Sequence, residues 1–479
     1  MNSPRDPVGI TSDTDLCAVS ATELAAAYRT RRLSPVEVTE AVLARIERVD
    51  PVLNAFVTVT TDLARATARE AEFAFASGSV RGPLDGVPVT IKDLVPTKGV
   101  RTTSGSHIYA DHIPTEDAPI VERLRAGGAV ILGKTTVPEF GWKSPTTSPL
   151  LGPTRNPWNP ERTSAGSSGG AGVAVATGMG PLATGSDGGG SIRQPASFCG
   201  VVGLKPTFGL VPNYPPGSVE TFGADGPMSR TVRDAAALLR LMAGYDPRDP
   251  LSVPAPTVDY VAACDGDLRG RRIAWSQDLG YAAVDPEVRA ICEAAVDRFG
   301  DLGCEIETAD PGWTDPYELF HTLFYGLVGG AVDRFLPEWT GRLDPGLEQI
   351  VEIGRNLTAF DVAQANLARN ELRQTAQRFF ERFDLLLTPT MTLPPFPIGI
   401  DFPPEVGGKP VTGMQWTAFT FPFNLTGQPA ASVPAGWTRD GLPVGLQVVG
   451  RRWEDALVLR ACAAFEAVLP WADRWPSSF

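Results

Sequence analysis

The chain has little of what most hydrolytic and metal-dependent sites are built from. Three histidines (His107, His112, His321) occur in 479 residues, with no Cys-x-x-Cys pair beside them. A zinc site needs three or four closely spaced nitrogen or sulfur ligands, so no metal is expected. The six cysteines, at 17, 199, 264, 292, 304 and 462, stand singly. Such scatter reads as free thiols in a reducing compartment, not as a disulfide framework. There is no Walker A loop. Gly178-Met-Gly180-Pro-Leu-Ala183 matches the loose dinucleotide fingerprint, but Thr-Gly-Ser-Asp-Gly-Gly-Gly follows where a helix is needed, so no cofactor is expected. Residues 1–16 lack the apolar stretch of a signal peptide. A net charge of −13 opposes binding to nucleic acid or to anionic membranes. Together these absences describe a cytoplasmic protein with neither of those partners.

What is present is a chain long enough for a sizeable core, 43% apolar, with 49 glycines and 44 prolines. Ser20-Ala-Thr-Glu23 and Ser34-Pro-Val-Glu37 are capping boxes that predict two helices within 20–48. In the second, Val38, Val42, Ile46 and Val49 recur at helical spacing. Val87-Pro-Val89-Thr-Ile91 predicts a strand ending at Lys92, and Ala129–Leu132 predicts another. Residues 163–186 hold no charge; they are too rich in Gly, Ser and Thr for a membrane span, and their apolar residues spoil a flexible linker. A buried small-residue helix is expected there. Further strands are predicted at 272–275, 304–307, 385–389, 431–434 and 444–449, and helices at 286–300, 315–335, 345–382 and 454–468. This alternation argues for a layered α/β fold with a mostly parallel sheet.

Two serine motifs compete. Gly166-Ser-Ser168-Gly-Gly170 fits the G-x-S-x-G nucleophile elbow, with His321 as its sole downstream histidine. The elbow needs an apolar strand before it, and Asn-Pro-Trp-Asn-Pro-Glu-Arg-Thr-Ser cannot supply one. A serine nucleophile without histidine takes lysine as its base. Only six lysines stand against 36 arginines, and Lys92 closes an apolar strand that should carry it inward. Buried, its amine can become neutral near pH 7; the plainer alternative is a strand-end lysine reaching back to water. The second serine, Ser191, follows Gly188-Gly189-Gly190, whose bare backbone can turn N–H groups toward one oxygen, as an oxyanion hole does. A plain glycine turn is the other reading.

These segments carry a family resemblance. Ala165-Gly-Ser167-Ser168-Gly-Gly170, followed by Gly185-Ser-Asp187-Gly-Gly-Gly-Ser191-Ile-Arg193-Gln-Pro-Ala196, resembles the amidase signature family. So do Val89-Thr-Ile-Lys92-Asp93, Gly152-Pro-Thr-Arg-Asn-Pro-Trp158, Leu387-Thr-Pro-Thr390 and Phe423-Asn-Leu-Thr-Gly-Gln-Pro429, over about residues 20–468. The resemblance implies a twisted mixed β-sheet with helices on both faces, as one domain over 1–479. Its parts would be N-terminal helices (about 20–75), a signature core (about 80–240), and a substrate-pocket insertion with the C-terminal part (about 250–470). It implies a Ser-cisSer-Lys triad: Ser191 as nucleophile, Lys92 as base, Ser167 behind a cis peptide as relay. Gly188, Gly189, Gly190 and Ser191 would form the oxyanion hole, with Ser168, Asp187 and Arg193 as supports.

Gly188 stands where the family has a larger residue, which would leave room beside the scissile carbonyl. Phe140, Trp142, Trp416, Phe419 and the loop 391–411 are candidates for an apolar substrate pocket. The activity implied is hydrolysis of an aryl or alkyl amide, extending to carbamates (urethanase activity) or esters, by a monomer or homodimer acting on a small molecule. Two alternatives are the glutaminase subunit of a tRNA amidotransferase and an esterase using Ser168 and His321.

Overall fold

Helix starts follow their local chemistry. Glu23 N donates to Ser20 Oγ while Ser20 N donates back to Glu23, and Ser34 with Glu37 repeats the arrangement ahead of Pro35. The helices Ala21–Arg29 and Pro35–Leu53 result, the second burying Val38, Val42, Ile46 and Val49. The computed structural model describes residues 15–219 and 221–477. The absence of a leader was read mainly from residues 1–14, which lie outside the described residues.

Eleven strands of the described chain form one sheet. They are β1 (Phe56–Val59), β2 (Pro88–Lys92), β3 (Val130–Thr135), β4 (Leu182–Asp187), β5 (Val202–Lys205) and β6 (Ala224–Ser229). The remainder are β7 (Arg272–Trp275), β8 (Glu305–Thr308), β9 (Leu385–Pro389), β10 (Ala430–Trp437) and β11 (Pro443–Gly450). Their order across the sheet is β1-β3-β2-β4-β6-β5-β10-β11-β9-β7-β8. Pairing is parallel where β2 meets β3 and β4, and where β7 meets β8 and β9; every other neighbour is antiparallel. The sheet is therefore mixed, as the resemblance implied, and the mostly parallel sheet read from alternation is corrected. Short antiparallel strands in the middle, β5 and β6, sit between two parallel flanks. Strands from all three stretches of the chain share this one sheet.

Two expectations change at element level. The uncharged stretch 163–186 splits into a wholly buried helix, Gly169–Ala176, and strand β4. Its small residues serve close packing: a Cβ on Gly170 would meet Thr136 N at 2.4 Å and Ala55 O at 2.5 Å. The helical pattern 345–382 divides into Pro345–Asn356 and Ala359–Arg382, because Thr358 and Asp361 form a further capping box at the break. All six cysteines are free thiols.

Candidate active site

Strand β2 runs between β3 and β4 with all five residues buried. Lys92 at its end is fully enclosed, so the reach to water does not occur. Its Nζ is hydrogen-bonded to Ser167 Oγ at 2.8 Å and donates to Ser186 O at 3.2 Å. Burial draws the amine down to about 7, against the opposing pull of the Asp225 and Asp187 carboxylates. Burial alone does not single it out: Lys134 and Lys205 are equally enclosed and also drawn down to about 7. Those two spend their donors on Thr97 Oγ1 with the Val95 carbonyl, and on Pro206 O. Contact with a serine hydroxyl is what distinguishes Lys92.

Ser167 follows the cis Gly166–Ser167 peptide. Its neighbour Ser168 donates its backbone N–H to Ser191 O at 3.1 Å, which holds the two serine segments side by side. Ser167 and Ser191 line the same cavity, of about 460 Å³. Ser168 Oγ instead meets the backbone of Ser186, at 3.3 Å to both N and O. His321 lies between Tyr317 and Tyr325 and does not line the cavity. The elbow pairing of Ser168 with His321 is thereby corrected: no apolar strand precedes the serine and no histidine reaches it.

The loop before Ser191 is held from behind. Asp187 and Arg193 form a fully buried pair at 2.8 Å, and Arg193 also donates to Thr420 O, Gln447 Oε1 and Asn424 Oδ1. Burial alone would push the Asp187 carboxyl up; Arg193, Lys205 and Asn424 outweigh it and draw it down to about 2. Asn424 Nδ2 donates to Asp187 O, and Gln194 N donates to Gly190 O. In a trans peptide the N–H points opposite to the C=O, so the N–H groups of Gly188 and Ser191 turn away from these anchors. Both residues line the cavity, and no acceptor among the described residues takes the N–H of Gly188, Gly189 or Ser191. Gly190 differs from the expectation: its N–H donates to Asp187 Oδ1 at 2.7 Å. It supports the loop and is not a free donor. Its φ of +125° and a Cβ direction 2.3 Å from Thr420 Oγ1 also demand glycine.

The expected room at Gly188 is filled, since a Cβ there would lie 2.7 Å from Val219 Cγ2. Of the proposed pocket residues, Phe140 lines the cavity and Trp142, Trp416 and Phe419 do not. Trp416 packs with Phe198 and Phe396, Trp142 against Phe402, and Phe419 is fully buried in the main core. The loop 391–411 is also absent from the walls. In its place stand Tyr109, Val219, Phe324 and Phe335, with Phe140 stacked on Phe335 at 5.8 Å and Tyr109 edge-on to both. Of the apolar run Leu319-Phe-His-Thr-Leu-Phe-Tyr, Phe324 alone lines the cavity. Gly141 was missed too; a Cβ on it would come 3.2 Å from Ser167 Oγ. Among the described residues no cluster of His, Cys, Asp or Glu could hold a metal ion, and no helix is long and apolar enough to cross a membrane.

A family model described as Amidase matches residues 37–459. An acylamidase of Rhodococcus erythropolis is 43% identical over 465 residues, covering 96% of this chain and 97% of its own. A glutamyl-tRNA(Gln) amidotransferase subunit of Roseiflexus sp. (strain RS-1) is 37% identical over 473 residues, covering 93% and 95%. The crystal structure of a bacterial aryl acylamidase of the amidase signature enzymes is similar with a TM-score of 0.91 at 30% identity, covering 96% of this chain and 98% of that one.

Proposed function

The chain belongs to the amidase signature family and is an amide-cleaving hydrolase, and on that premise we propose that it works through an acyl-enzyme on Ser191. The observation that carries this is the 2.8 Å contact between the buried Lys92 amine and Ser167, in a cavity that Ser191 also lines. Neutral Lys92 takes the Ser167 proton as Ser167 takes that of Ser191, and Ser191 Oγ bonds to the amide carbon. The carbonyl oxygen becomes an oxyanion held by the N–H groups of Gly188, Gly189 and Ser191. The proton on Lys92 returns through Ser167 to the leaving nitrogen as the C–N bond breaks. Water then gives a proton to the same relay and its oxygen to the acyl carbon, releasing the acid and restoring Ser191.

The substrate is a small aryl or alkyl amide. The Tyr109–Phe140–Phe335 cluster supports an aromatic substituent, since stacked and edge-on ring contacts add about 0.5–1.5 kcal/mol beyond area burial. A carbamate offers the same carbonyl beside nitrogen and falls within the proposed range. Those aromatic walls favour this reading over glutamine hydrolysis in a tRNA amidotransferase. We propose a single domain over 1–479, acting as a monomer or homodimer. The free cysteines support a reducing compartment, the cytoplasm.

The test is turnover of a matched anilide, carbamate, ester and glutamine, with rapid quenching and mass analysis. The expected result is anilide turnover and an acyl adduct on the Ser191 peptide. Glutamine as the sole good substrate, or an adduct elsewhere, overturns the proposal.

A further inference from the structure

The cavity contains a carboxyl group that the reaction above does not use. Asp225 is the second residue of β6 and sits opposite Ser186 of β4, whose carbonyl accepts from Lys92. Its relative exposure is 7%, and it lines the same cavity as Ser167 and Ser191. Among the described residues none donates a hydrogen bond to its carboxyl or forms an ion pair with it; its oxygens are not sealed in the core but keep contact with the cavity. Lys92, the nearby cation, is turned to Ser167 and Ser186. Asp249, the nearby anion, accepts from Asn213 N and Leu251 N. The contrast with Asp187 is sharp: that carboxylate is enclosed by donors from Gly190, Ile192, Arg193 and Asn424.

An enclosed carboxyl without a donor is costly, and a cavity-facing one can take its donor from whatever fills the cavity. Resting on the proposed amide hydrolysis, we propose that Asp225 is a specificity-determining residue that accepts a hydrogen bond from a second donor on the substrate, an amine or N–H besides the scissile group. The preferred substrates are then amino-substituted amides. The apolar walls hold the hydrocarbon and Asp225 fixes the polar end, so a donor in the wrong place is rejected with its own desolvation cost. Burial and Asp249 raise the carboxyl to about 7, with Lys92 opposing, so above that pH it accepts as a carboxylate.

The test compares two near-isosteric pairs at pH 9, where Lys92 is neutral with or without Asp225. One pair varies the acyl side, 4-aminobutyranilide against pentananilide; the other varies the amine side, 4-aminoacetanilide against 4-methylacetanilide. For the wild type, kcat/KM should favour the amino member of at least one pair. In Asp225→Asn and Asp225→Leu that ratio should fall tenfold or more, chiefly through KM, with the melting temperature tracked in parallel. A wild-type enzyme that cleaves anilides without preference in either pair, or a ratio unchanged in both folded variants, overturns the inference. Equal loss on both members assigns Asp225 to the fold or to Lys92 and overturns it as well. If the wild type cleaves none of the four, the failure lies instead with the proposed activity.

Discussion

Lys92 can act as a base only while its amine is neutral, and its environment makes that state available near pH 7. The sign follows directly: below about 7 the amine is protonated and cannot take the Ser167 proton. The acid limb of kcat/KM should therefore have its midpoint near 7, with a tenfold loss per pH unit below it. A flat profile from pH 5 to 9 would exclude Lys92 as the base. Lys92→Ala and Ser191→Ala should each lower kcat by about 10⁴-fold or more, as members of a unit that acts together. Lys92→Arg should fare no better, because a guanidinium stays charged. Measured anilide turnover in purified Ser191→Ala at more than a hundredth of wild type would remove Ser191 from its role.

At the level of elements, the loop that carries the proposed nucleophile is a short span between β4 and the helix Arg193–Cys199, tied by Arg193 to Thr420, Asn424 and Gln447. Arg193→Met leaves the Asp187 charge buried without its partner. Such a loss costs about 3–5 kcal/mol, so the urea midpoint should drop markedly and activity with it. His321→Ala, on the helix Tyr317–Asp333 but outside the cavity, should leave kcat within about threefold; a loss of a hundredfold would return a histidine to the mechanism. The same elements explain what could be read beforehand. Lys92 and Ser191 stand out from local segments, the apolar strand and the glycine run, whereas Ser167, Asp187 and Arg193 come from the family resemblance of the segments around them. Of the walls Phe140 alone is among the expected pocket residues; Tyr109, Phe324 and Phe335 join it only through tertiary packing, and periodicity cannot tell a cavity-facing aromatic from a core one such as Trp416. Strand β6 was hidden for a different reason: Gly226-Pro227 inside it reads as a turn, yet it pairs with β4 and presents Asp225.

Across the whole molecule, the burial that prepares Lys92 also operates where no chemistry is served. Lys134 and Lys205 are enclosed and drawn down to about 7, whereas an unfolded lysine titrates near 10.4. Between those values the unfolded chain binds protons that the native state refuses. By linkage each such lysine makes stability rise with pH, at on the order of 1 kcal/mol per pH unit. Two groups bound the window. Asp225 and Glu466, raised to about 7, contribute stability that is lost as pH climbs toward 7. The six thiols, all raised by burial, act in the same direction above about 8.5, where unfolded cysteines ionise. Between pH 7.5 and 8.5 the lysines dominate, and the urea midpoint should increase. Lys205→Met tests the cause, because Lys205 Nζ donates to no group among the described residues but Pro206 O and lies outside the cavity. The variant should be more stable than wild type at pH 7.5, and its midpoint should rise less toward pH 8.5. A wild-type midpoint that falls across this interval, or a variant with the same slope, would mean that the buried lysines are protonated in the native state, and the neutrality assigned to Lys92 on the same physical ground would fall with them.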